Sequence, residues 1–347
     1  MKRFLVLGLA SMSVVAGVAR ADQGRIPIFG PVTITQPGSY VLTRDITVSS
    51  GTPINIQASN VTIDLNGHSL TNSPTGGRLI TIFSPSTNIR IANGRLVGGV
   101  RGIDYNTSTG NAGTSVSIHA VDFEPQGEIA VDISNAISFE MTSSSITNAY
   151  TGVLITNPNA TTDPRVTARL VGNRFARITH YGVIITGMRS FIATDNEFSD
   201  SGLAGIFLVM GSGLITRNVF SAGVALGTIG IDLQGGATGL VLDNTFKGLE
   251  RGVWAMSNGN RIAGNLIIGP PASAGGSPRG IVLGASGFAA DRNLIEINRI
   301  DMQSGCAIQF TPDSHDNIYR INTLRGSGGL AVCNNGTGNV DAGGNVY

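Results

Sequence analysis

One short unit recurs along most of the chain, and this repeat limits the possible folds more than any other feature. Each copy opens on a glycine followed by alternating apolar residues, as at residues 152–155 (GVLI) and 182–185 (GVII). Each copy closes on an asparagine with an apolar residue two positions later, as at Asn196 and Phe198. Alternation with a period of two predicts short β-strands, and the frequent glycines argue against helices.

The length of the unit, about 22 to 30 residues, determines how the copies are arranged. A unit this short does not bury its own apolar face, so its copies must stack on one another. Parallel stacking at the usual strand spacing of ~4.8 Å gives a rod of about a dozen coils, roughly 55 Å long. The sequence therefore predicts a single all-β solenoid domain over residues 22–347.

The asparagines of the repeat are predicted to form a column inside the turns. They are Asn173, Asn196, Asn218, Asn244, Asn265, Asn298, Asn322 and Asn345. An amide group both donates and accepts hydrogen bonds, so stacked asparagines satisfy each other and the backbone of the turn. The phenylalanines two positions later point inward and are predicted to form an aromatic stack. We therefore interpret both columns as structural.

The first 21 residues have the composition of a secretory signal peptide. Basic residues at positions 2 and 3 precede the apolar stretch 4–18, and a small-x-small sequence ends at Ala21. This order of basic, apolar and small residues is typical of a cleaved export signal. We predict cleavage after Ala21 and export to the periplasm or the extracellular space. Residues 22–54 are predicted to cap the open N-terminal end of the solenoid.

The charge and hydropathy of the mature chain exclude two classes of partner. Removing residues 1–21 removes three basic residues and no acidic one, so the formal net charge changes from +1 to −2. A nearly neutral chain lacks the basic surface that nucleic acids require. No later stretch is apolar over the ~20 residues of a membrane span. We therefore expect neither a nucleic-acid partner nor a membrane-spanning segment.

The two cysteines, Cys306 and Cys333, lie about one repeat apart. Alignment of their repeats places them three positions out of step, with their side chains on opposite faces of the strands. A disulfide needs Cα atoms within ~7 Å of each other. The alignment therefore favours two separately packed cysteines over a disulfide, although export permits either.

Two segments near the N-terminus resemble a known group of proteins. Residues 60–68 (NVTIDLNGH) and 88–94 (NIRIANG) are similar to the first coils of bacterial exported right-handed parallel β-helix proteins. The glycine and asparagine units described above are similar to the repeats of the same group. The resemblance covers residues 26–347 and implies a right-handed parallel β-helix of the pectate-lyase-like superfamily.

The resemblance is specific for the fold and weak for function, because the superfamily includes several different activities. Its members include pectate lyases, polygalacturonases, alginate epimerases and lyases, phage tailspikes and adhesins. Residues 313–316 (DSHD) lack the Asp-Pro-His order of alginate epimerases. The aspartate motifs of polygalacturonases are absent as well. The superfamily also includes periplasmic metal-maturation factors, so the resemblance does not identify the function, although carbohydrate ligands are the more frequent among its members.

Candidate site residues follow from the direction of the side chains, because alternate residues of each strand point outward. The predicted outward column consists of Asp104, Asp132, Leu154, Ile184, Phe207, Asp232, Trp254, Val282 and Gln309. Asp104 and Asp132 lie one coil apart, roughly 5 Å by the strand spacing. Paired carboxylates perform acid/base chemistry on glycosides or share a calcium ion. We therefore predict Asp104 and Asp132 as the catalytic pair, with calcium as a possible cofactor.

Four further residues are predicted to bind a ligand. Asp232 lies beside Trp254, a combination that suits a sugar, although packing of Trp254 under a loop is the alternative. Phe207 forms an exposed apolar stripe with Leu154 and Ile184. Such a stripe indicates contact with a ligand, with a covering loop or with a partner such as a second copy of the chain. His180 is the one histidine with polar and aromatic neighbours nearby in sequence. The four histidines are too far apart for metal-ligand spacing, so no metal site is predicted from them.

Two functions of different class remain open at this point. The first is an exported protein that binds a polysaccharide, either without converting it or as a lyase, glycoside hydrolase or epimerase that cleaves or epimerises it. The second is a non-catalytic scaffold or adhesion protein that binds a protein partner through the apolar stripe. The acidic pair and Trp254 favour the first function, and the absence of a local catalytic motif favours the second.

Overall fold

The computed structural model describes residues 24–106, 113–157, 166–223, 227–272, 277–326 and 331–347. In these ranges the chain forms 34 strands and no α-helix, and every pair of named strands is parallel. The result is a right-handed parallel β-helix of about a dozen coils, which confirms the predicted fold. The predicted signal peptide, residues 1–21, lies outside the described residues.

Each coil contributes strands to three parallel sheets, which we number in the order in which the coil passes through them. The first sheet contains β2(Val32–Ile34), β5(Ile54–Ile56), β8(Arg78–Phe83), β10(Arg101–Asn106), β12(Ile129–Ser134), β15(Thr151–Thr156), β24(Arg251–Ala255), β27(Arg279–Leu283), β30(Cys306–Phe310) and β33(Val332–Asn334). The second sheet contains β1(Ile26–Ile28), β3(Gly38–Leu42), β6(Val61–Asp64), β13(Ala136–Thr142), β16(Thr167–Val171), β25(Arg261–Ala263), β28(Leu294–Glu296), β31(Ile318–Arg320) and β34(Val340–Asp341).

The third sheet and five long strands complete the coils. The third sheet contains β4(Ile46–Thr47), β7(Ser69–Asn72), β14(Ser145–Thr147), β17(Arg174–Ala176), β19(Glu197–Ser199), β21(Val219–Ser221), β23(Thr245–Lys247), β26(Leu266–Ile268), β29(Arg299–Asp301) and β32(Thr323–Arg325). The strands β18(Tyr181–Thr194), β20(Ala204–Thr216) and β22(Ile229–Leu242) run from the first sheet into the second. The strands β9(Ile89–Gly98) and β11(Thr114–Glu124) run from the second sheet into the third.

The register of the first sheet confirms the outward column predicted from the sequence. Each of its nine members pairs directly with the next, from Asp104 to Gln309. The column also extends to the preceding coils through Thr81 and Asn55. The outer surface of the first sheet, which we call the front face, therefore carries all of the predicted site residues or their immediate neighbours.

The inward columns explain why the repeat has its particular residues. Phe175, Phe198, Phe220 and Phe246 stack with ring centroids 4.7, 4.8 and 4.9 Å apart, as predicted. The glycine that opens each unit lies against this stack. A Cβ atom at Gly230 would lie 2.4 Å from Cδ1 of Phe246 and 2.6 Å from the carbonyl oxygen of Gly252. Glycine at this position therefore lets the first sheet approach the phenylalanine rings.

The predicted asparagine column is a continuous hydrogen-bonded ladder. From Asn173 to Asn345, each side-chain amide donates to Oδ1 of the asparagine in the next coil, at 2.9 to 3.1 Å. A second ladder at another turn was not predicted. It consists of Asn260, Asn293, Asn317 and Asn339. Both ladders satisfy turn backbone that the coil buries.

The described part of the predicted N-terminal cap, residues 24–54, contains strands β1 to β4 and the first residue of β5. These strands already pair in parallel with those of the next coil, so this region starts the β-helix itself. A separate cap remains a prediction. Among the described residues, no helix has the length and hydropathy of a membrane span.

The prediction that Cys306 and Cys333 pack separately is wrong, because they form a disulfide with Cα atoms 6.0 Å apart. Cys333 pairs in register with Gln309, so the three-residue offset from Cys306 is present. On straight strands at ~3.3 Å per residue, this offset would separate the two positions by about 10 Å. The shorter distance shows that the backbone departs from straight strands here, which the sequence alignment did not include.

Candidate functional site

Asp104 and Asp132 are adjacent on the front face, as predicted, but a guanidinium group lies between them. Nη1 of Arg101 lies 2.6 Å from Oδ1 of Asp104 and 2.6 Å from Oδ2 of Asp132. Nε of Arg78 lies 2.6 Å from the second oxygen of Asp104. Both carboxylates are buried. This end of the front face is therefore an ion-pair cluster that compensates its own charge.

The ion pairs bear on both roles predicted for these aspartates. Burial raises the pKa of Asp132, Arg101 lowers it, and the nearby charge of Asp104 raises it again. Arg101 occupies the space in which a cation bridging the two carboxylates would sit. Within the described ranges, no group of three or more histidine, cysteine, aspartate or glutamate side chains is arranged to hold a metal ion. Both roles, catalysis and calcium binding, remain predictions for this pair.

We predict that replacing Arg101 with glutamine lowers the free energy of unfolding by about 2 kcal/mol, because two buried carboxylates lose their shared counter-charge. Urea unfolding at neutral pH measures this change. The matched control is Arg95→Gln, which removes the exposed ion pair of Arg95 with Glu124 and should cost less than about 0.5 kcal/mol. Equal effects of the two substitutions would contradict a buried cluster.

Four aromatic side chains form a continuous surface in the middle of the front face, which we call the aromatic platform. The ring of Tyr150 stacks on His180 with centroids 4.7 Å apart, and His180 meets the edge of Tyr181 at 4.4 Å. Tyr181 in turn stacks on Phe207 at 5.1 Å. The predicted ligand residues His180 and Phe207 are therefore joined through Tyr181. Half of the surface of Tyr150 is exposed, so the platform is open to solvent.

Asp232 lies next to the aromatic platform, directly in register with Phe207 on one side and Trp254 on the other. Its relative exposure is 4%. Nε2 of Gln234 donates a hydrogen bond of 2.9 Å to Oδ2, while Oδ1 is buried and has no hydrogen-bond partner among the described residues. Burial raises the pKa of Asp232 to about 6, although Gln234 and Arg251 both act to lower it.

Trp254 is half-buried and held by two contacts. Its Nε1 donates a hydrogen bond of 3.0 Å to the carbonyl oxygen of Gly284. The guanidinium of Arg251 lies 4.4 Å from the centre of the indole ring. The contact with Gly284 shows the packing against a loop that was the alternative for this residue. The ring nevertheless remains in the outward column beside Asp232. Its contacts with Gly284 and Arg251 fix its position.

Several residues of this site were missed in the sequence. Gln234 lies two residues after Asp232 and therefore points to the same outer surface. Arg251 and Tyr181 precede the column residues of their own strands by three positions, beyond the glycine of the repeat. Extending the outward column to the positions two after and three before each column residue would have included all three. Such an extension has no support from periodicity alone, because the glycine interrupts the alternation.

Comparisons with known proteins agree with this architecture. Residues 101–267 match the family model described as right handed beta helix region. No curated protein sequence matches the chain. The resemblance to right-handed parallel β-helix proteins of the pectate-lyase-like fold is therefore confirmed by the fold and by this match.

Three solved structures are similar to this one. A DFA-IIIase from Arthrobacter chlorophenolicus A6 in complex with DFA-III has a TM-score of 0.61 and 12% identity, over 82% of this chain and 84% of the other. The catalytic unit of an alpha-1,3-glucanase from Streptomyces thermodiastaticus has a TM-score of 0.58 and 14% identity, over 90% of this chain. The Dettilon tailspike protein has a TM-score of 0.59 and 14% identity, over 89% of this chain.

The lengths of these proteins differ from that of this chain. The chain spans 62% of the glucanase catalytic unit and 60% of the tailspike protein. At these identities the likenesses show the fold alone. The chemistry has to be argued from the side chains of the front face.

Proposed function

We propose that the protein binds a polysaccharide along the front face and transfers a proton to it from Asp232. The observation that carries this proposal is the buried carboxyl of Asp232 beside Phe207 and Trp254. Like Asp132, it has one oxygen without a hydrogen-bond partner within the described chain. A buried polar atom without a partner costs stability, and such groups occur preferentially at functional sites. A ligand on the outer surface at Phe207 and Trp254 would lie next to Asp232. Contact with Oδ1 requires a shift of the side chains that bury it.

The surroundings of Asp232 support a sugar as the ligand. Ligand sites consist mainly of apolar and aromatic surface with a few polar groups that fix orientation. The aromatic platform supplies the apolar surface, and Gln234, Arg251 and Asp232 supply the polar groups. Two of the similar structures are, by name, a glucanase and an enzyme in complex with DFA-III. The disulfide between Cys306 and Cys333 supports export, because such bonds persist in oxidising compartments.

The chemistry follows from the pKa of about 6, which leaves an appreciable fraction of Asp232 protonated near neutral pH. The protonated carboxyl gives its proton to the glycosidic oxygen while the C–O bond breaks, and the bonding electron pair stays on that oxygen. The resulting carboxylate then regains a proton from solvent. In hydrolysis the oxygen of a water molecule bonds to the anomeric carbon and one proton of that water passes to solvent. In β-elimination a base removes the proton from the carbon next to the broken C–O bond, and the freed electron pair forms the double bond. Protonation of the leaving oxygen serves both reactions, so the product identifies the reaction.

A screen of the purified mature protein tests the proposal. Pectin, alginate and neutral glucans, with and without calcium, are assayed for retention, for new reducing ends and for absorbance of an unsaturated product. We expect retention of at least one glycan and product that depends on Asp232. If Asp132→Asn forms no product and Asp232→Asn forms as much as wild type, the result would instead support the predicted pair Asp104 and Asp132. No retention would favour a scaffold that binds a protein through the apolar stripe.

We predict that replacing Trp254 with alanine weakens glycan binding about tenfold, since an indole ring contributes roughly 1 kcal/mol or more at a sugar surface. Isothermal titration with the retained oligosaccharide measures the change. The matched variant is Trp254→Phe, which loses the hydrogen bond to Gly284 and keeps a ring beside Asp232. Near-normal binding by the phenylalanine variant is expected. Equal loss in both variants would show that the loop contact matters and the ring surface does not.

A further inference from the structure

We infer that Arg251 and Arg279 form a subsite for an anionic group of the polysaccharide, a carboxylate or a sulfate ester. The inference rests on the proposed function and adds the chemical class of the substrate to it. Its basis is the arrangement of charges at the part of the front face that follows Asp232 along the β-helix.

The two arginines are direct neighbours across adjacent coils. Arg251 on β24 pairs in register with Arg279 on β27, one strand spacing of ~4.8 Å away. Burial lowers the pKa of Arg279, and the positive charge of Arg251 lowers it further. The two positive charges therefore act on each other, and an anion that contacts both arginines would relieve that repulsion.

The protein supplies only part of the counter-charge. Nη2 of Arg251 lies 3.2 Å from Oε1 of Glu250. Arg279 donates to neutral oxygens only, namely Oε1 of Gln309 and the carbonyl groups of Ser277 and Pro278. In the part of the chain that the structure describes, no carboxylate forms an ion pair with Arg279. With Glu250 as the one described carboxylate in ion-pair contact, the two arginines together keep one positive charge.

A second pair of arginines shows how this chain neutralises arginines that serve structure. Arg261 on β25 and Arg320 on β31 lie on the two strands that flank β28 in the second sheet. Both contact the buried carboxylate of Glu296 on β28, at 2.7 and 2.8 Å. Among the described residues, no carboxylate bridges Arg251 and Arg279 in this way. Planar guanidinium groups bind carboxylate and sulfate oxygens through paired hydrogen bonds, so a ligand is able to take this place.

The position of the arginines links this subsite to Asp232. Arg251 covers the ring of Trp254, which is the next column residue after Asp232. Arg251 also lowers the pKa of Asp232, so the two groups are within electrostatic reach. The anionic group bound by Arg251 and Arg279 would thus belong to the sugar at the reacting bond or to its neighbour.

Binding of matched charged and neutral probes tests the inference. The probes are a galacturonic acid oligosaccharide and its methyl ester, and dextran sulfate and dextran, titrated into wild type, Arg279→Gln and Arg299→Gln. Arg299 is exposed on the third sheet, so the control variant loses the same charge at a distant place. We expect Arg279→Gln to weaken binding of one anionic probe at least tenfold, to leave its neutral counterpart unchanged, and Arg299→Gln to bind like wild type.

The outcomes separate the inference from the proposed function. Preference for the galacturonate oligosaccharide assigns a carboxylate, and preference for dextran sulfate assigns a sulfate ester. Equal binding of charged and neutral probes by wild type would overturn the inference and leave the proposed function standing. Equal losses in Arg279→Gln and Arg299→Gln would overturn it as well. Binding of an anionic probe that depends on Arg279, combined with full turnover by Asp232→Asn, would uphold the inference and overturn the proton transfer.

Discussion

Replacing Asp232 with asparagine is expected to lower glycan turnover by about 10²- to 10⁴-fold, the usual contribution of a general acid or base. Asparagine keeps the size of the side chain and its hydrogen bond with Gln234, but it has no proton to give to a leaving oxygen. Binding of the substrate should change little. Wild-type turnover should fall as the pH rises above about 6, because the active form of Asp232 is the protonated one.

The same substitution should stabilise the protein at neutral and alkaline pH. The pKa of Asp232 is raised from its ordinary value of 3.8 to about 6 in the folded chain, so the folded state holds this proton more tightly than the unfolded state. Stability is therefore lost at Asp232 as the pH rises from about 4 to about 6, and the cost levels off above pH 6 at about 3 kcal/mol. Asparagine removes this cost.

Turnover assays and urea unfolding at pH 4 and pH 8 measure the two effects together. The control is Asp301→Asn, an aspartate on the third sheet that pairs loosely with Arg325 at 3.7 Å. We expect the control to keep both turnover and stability. An Asp232→Asn variant that is inactive and also less stable at pH 8 would indicate a structural role and contradict the assignment of Asp232 as a proton donor.

Replacing Asn244 with alanine is expected to lower the free energy of unfolding by about 3 to 6 kcal/mol, since each buried group left unpaired costs about 1 to 3 kcal/mol. Oδ1 of Asn244 accepts from the backbone and the side chain of Asn218, and its Nδ2 donates to the carbonyl oxygen of Ile215. All of these partners are inside the coil. Water does not reach them when the amide is removed.

Chemical unfolding of Asn244→Ala measures this loss, and Asn345→Ala is the matched control. Asn345 is the last asparagine of the same ladder and is only partly buried, so water replaces its hydrogen bonds at a cost of about 1 kcal/mol. Similar losses at the two positions would contradict the view that burial makes the ladder important for stability.

The fold could be predicted because every coil repeats the same physical constraints. Nearly every unit contains alternating apolar residues, a glycine that packs against the phenylalanine stack and an asparagine in the turn. An error in aligning one repeat is therefore revealed by the repeats on either side of it. The predicted outward column, from Asp104 to Gln309, was correct for the same reason. The second ladder, beginning at Asn260, was missed because it occupies only four coils.

The site could be predicted less well, because its properties depend on side-chain conformations that the repeat does not determine. The proximity of Asp104 and Asp132 follows from the register, but the position of Arg101 between them does not. Asp232 was predicted as a ligand residue, yet its burial and its unpaired Oδ1 depend on how Gln234, Trp254 and Arg251 pack around it. The three-residue offset between Cys306 and Cys333 along their strands was predicted correctly. The disulfide was not expected, because the bend of the backbone that brings the two Cα atoms together does not follow from the repeat.

A crystal structure of the protein with its best-retained oligosaccharide tests the central claim most directly. We expect sugar rings on the front face, across Tyr181, Phe207 and Trp254, with a glycosidic oxygen within hydrogen-bond distance of Oδ1 of Asp232. Sugar bound instead in the shallow cleft of the second sheet, beside Ser212 and Thr238, would contradict the account. So would sugar on the front face that leaves Oδ1 of Asp232 without a contact.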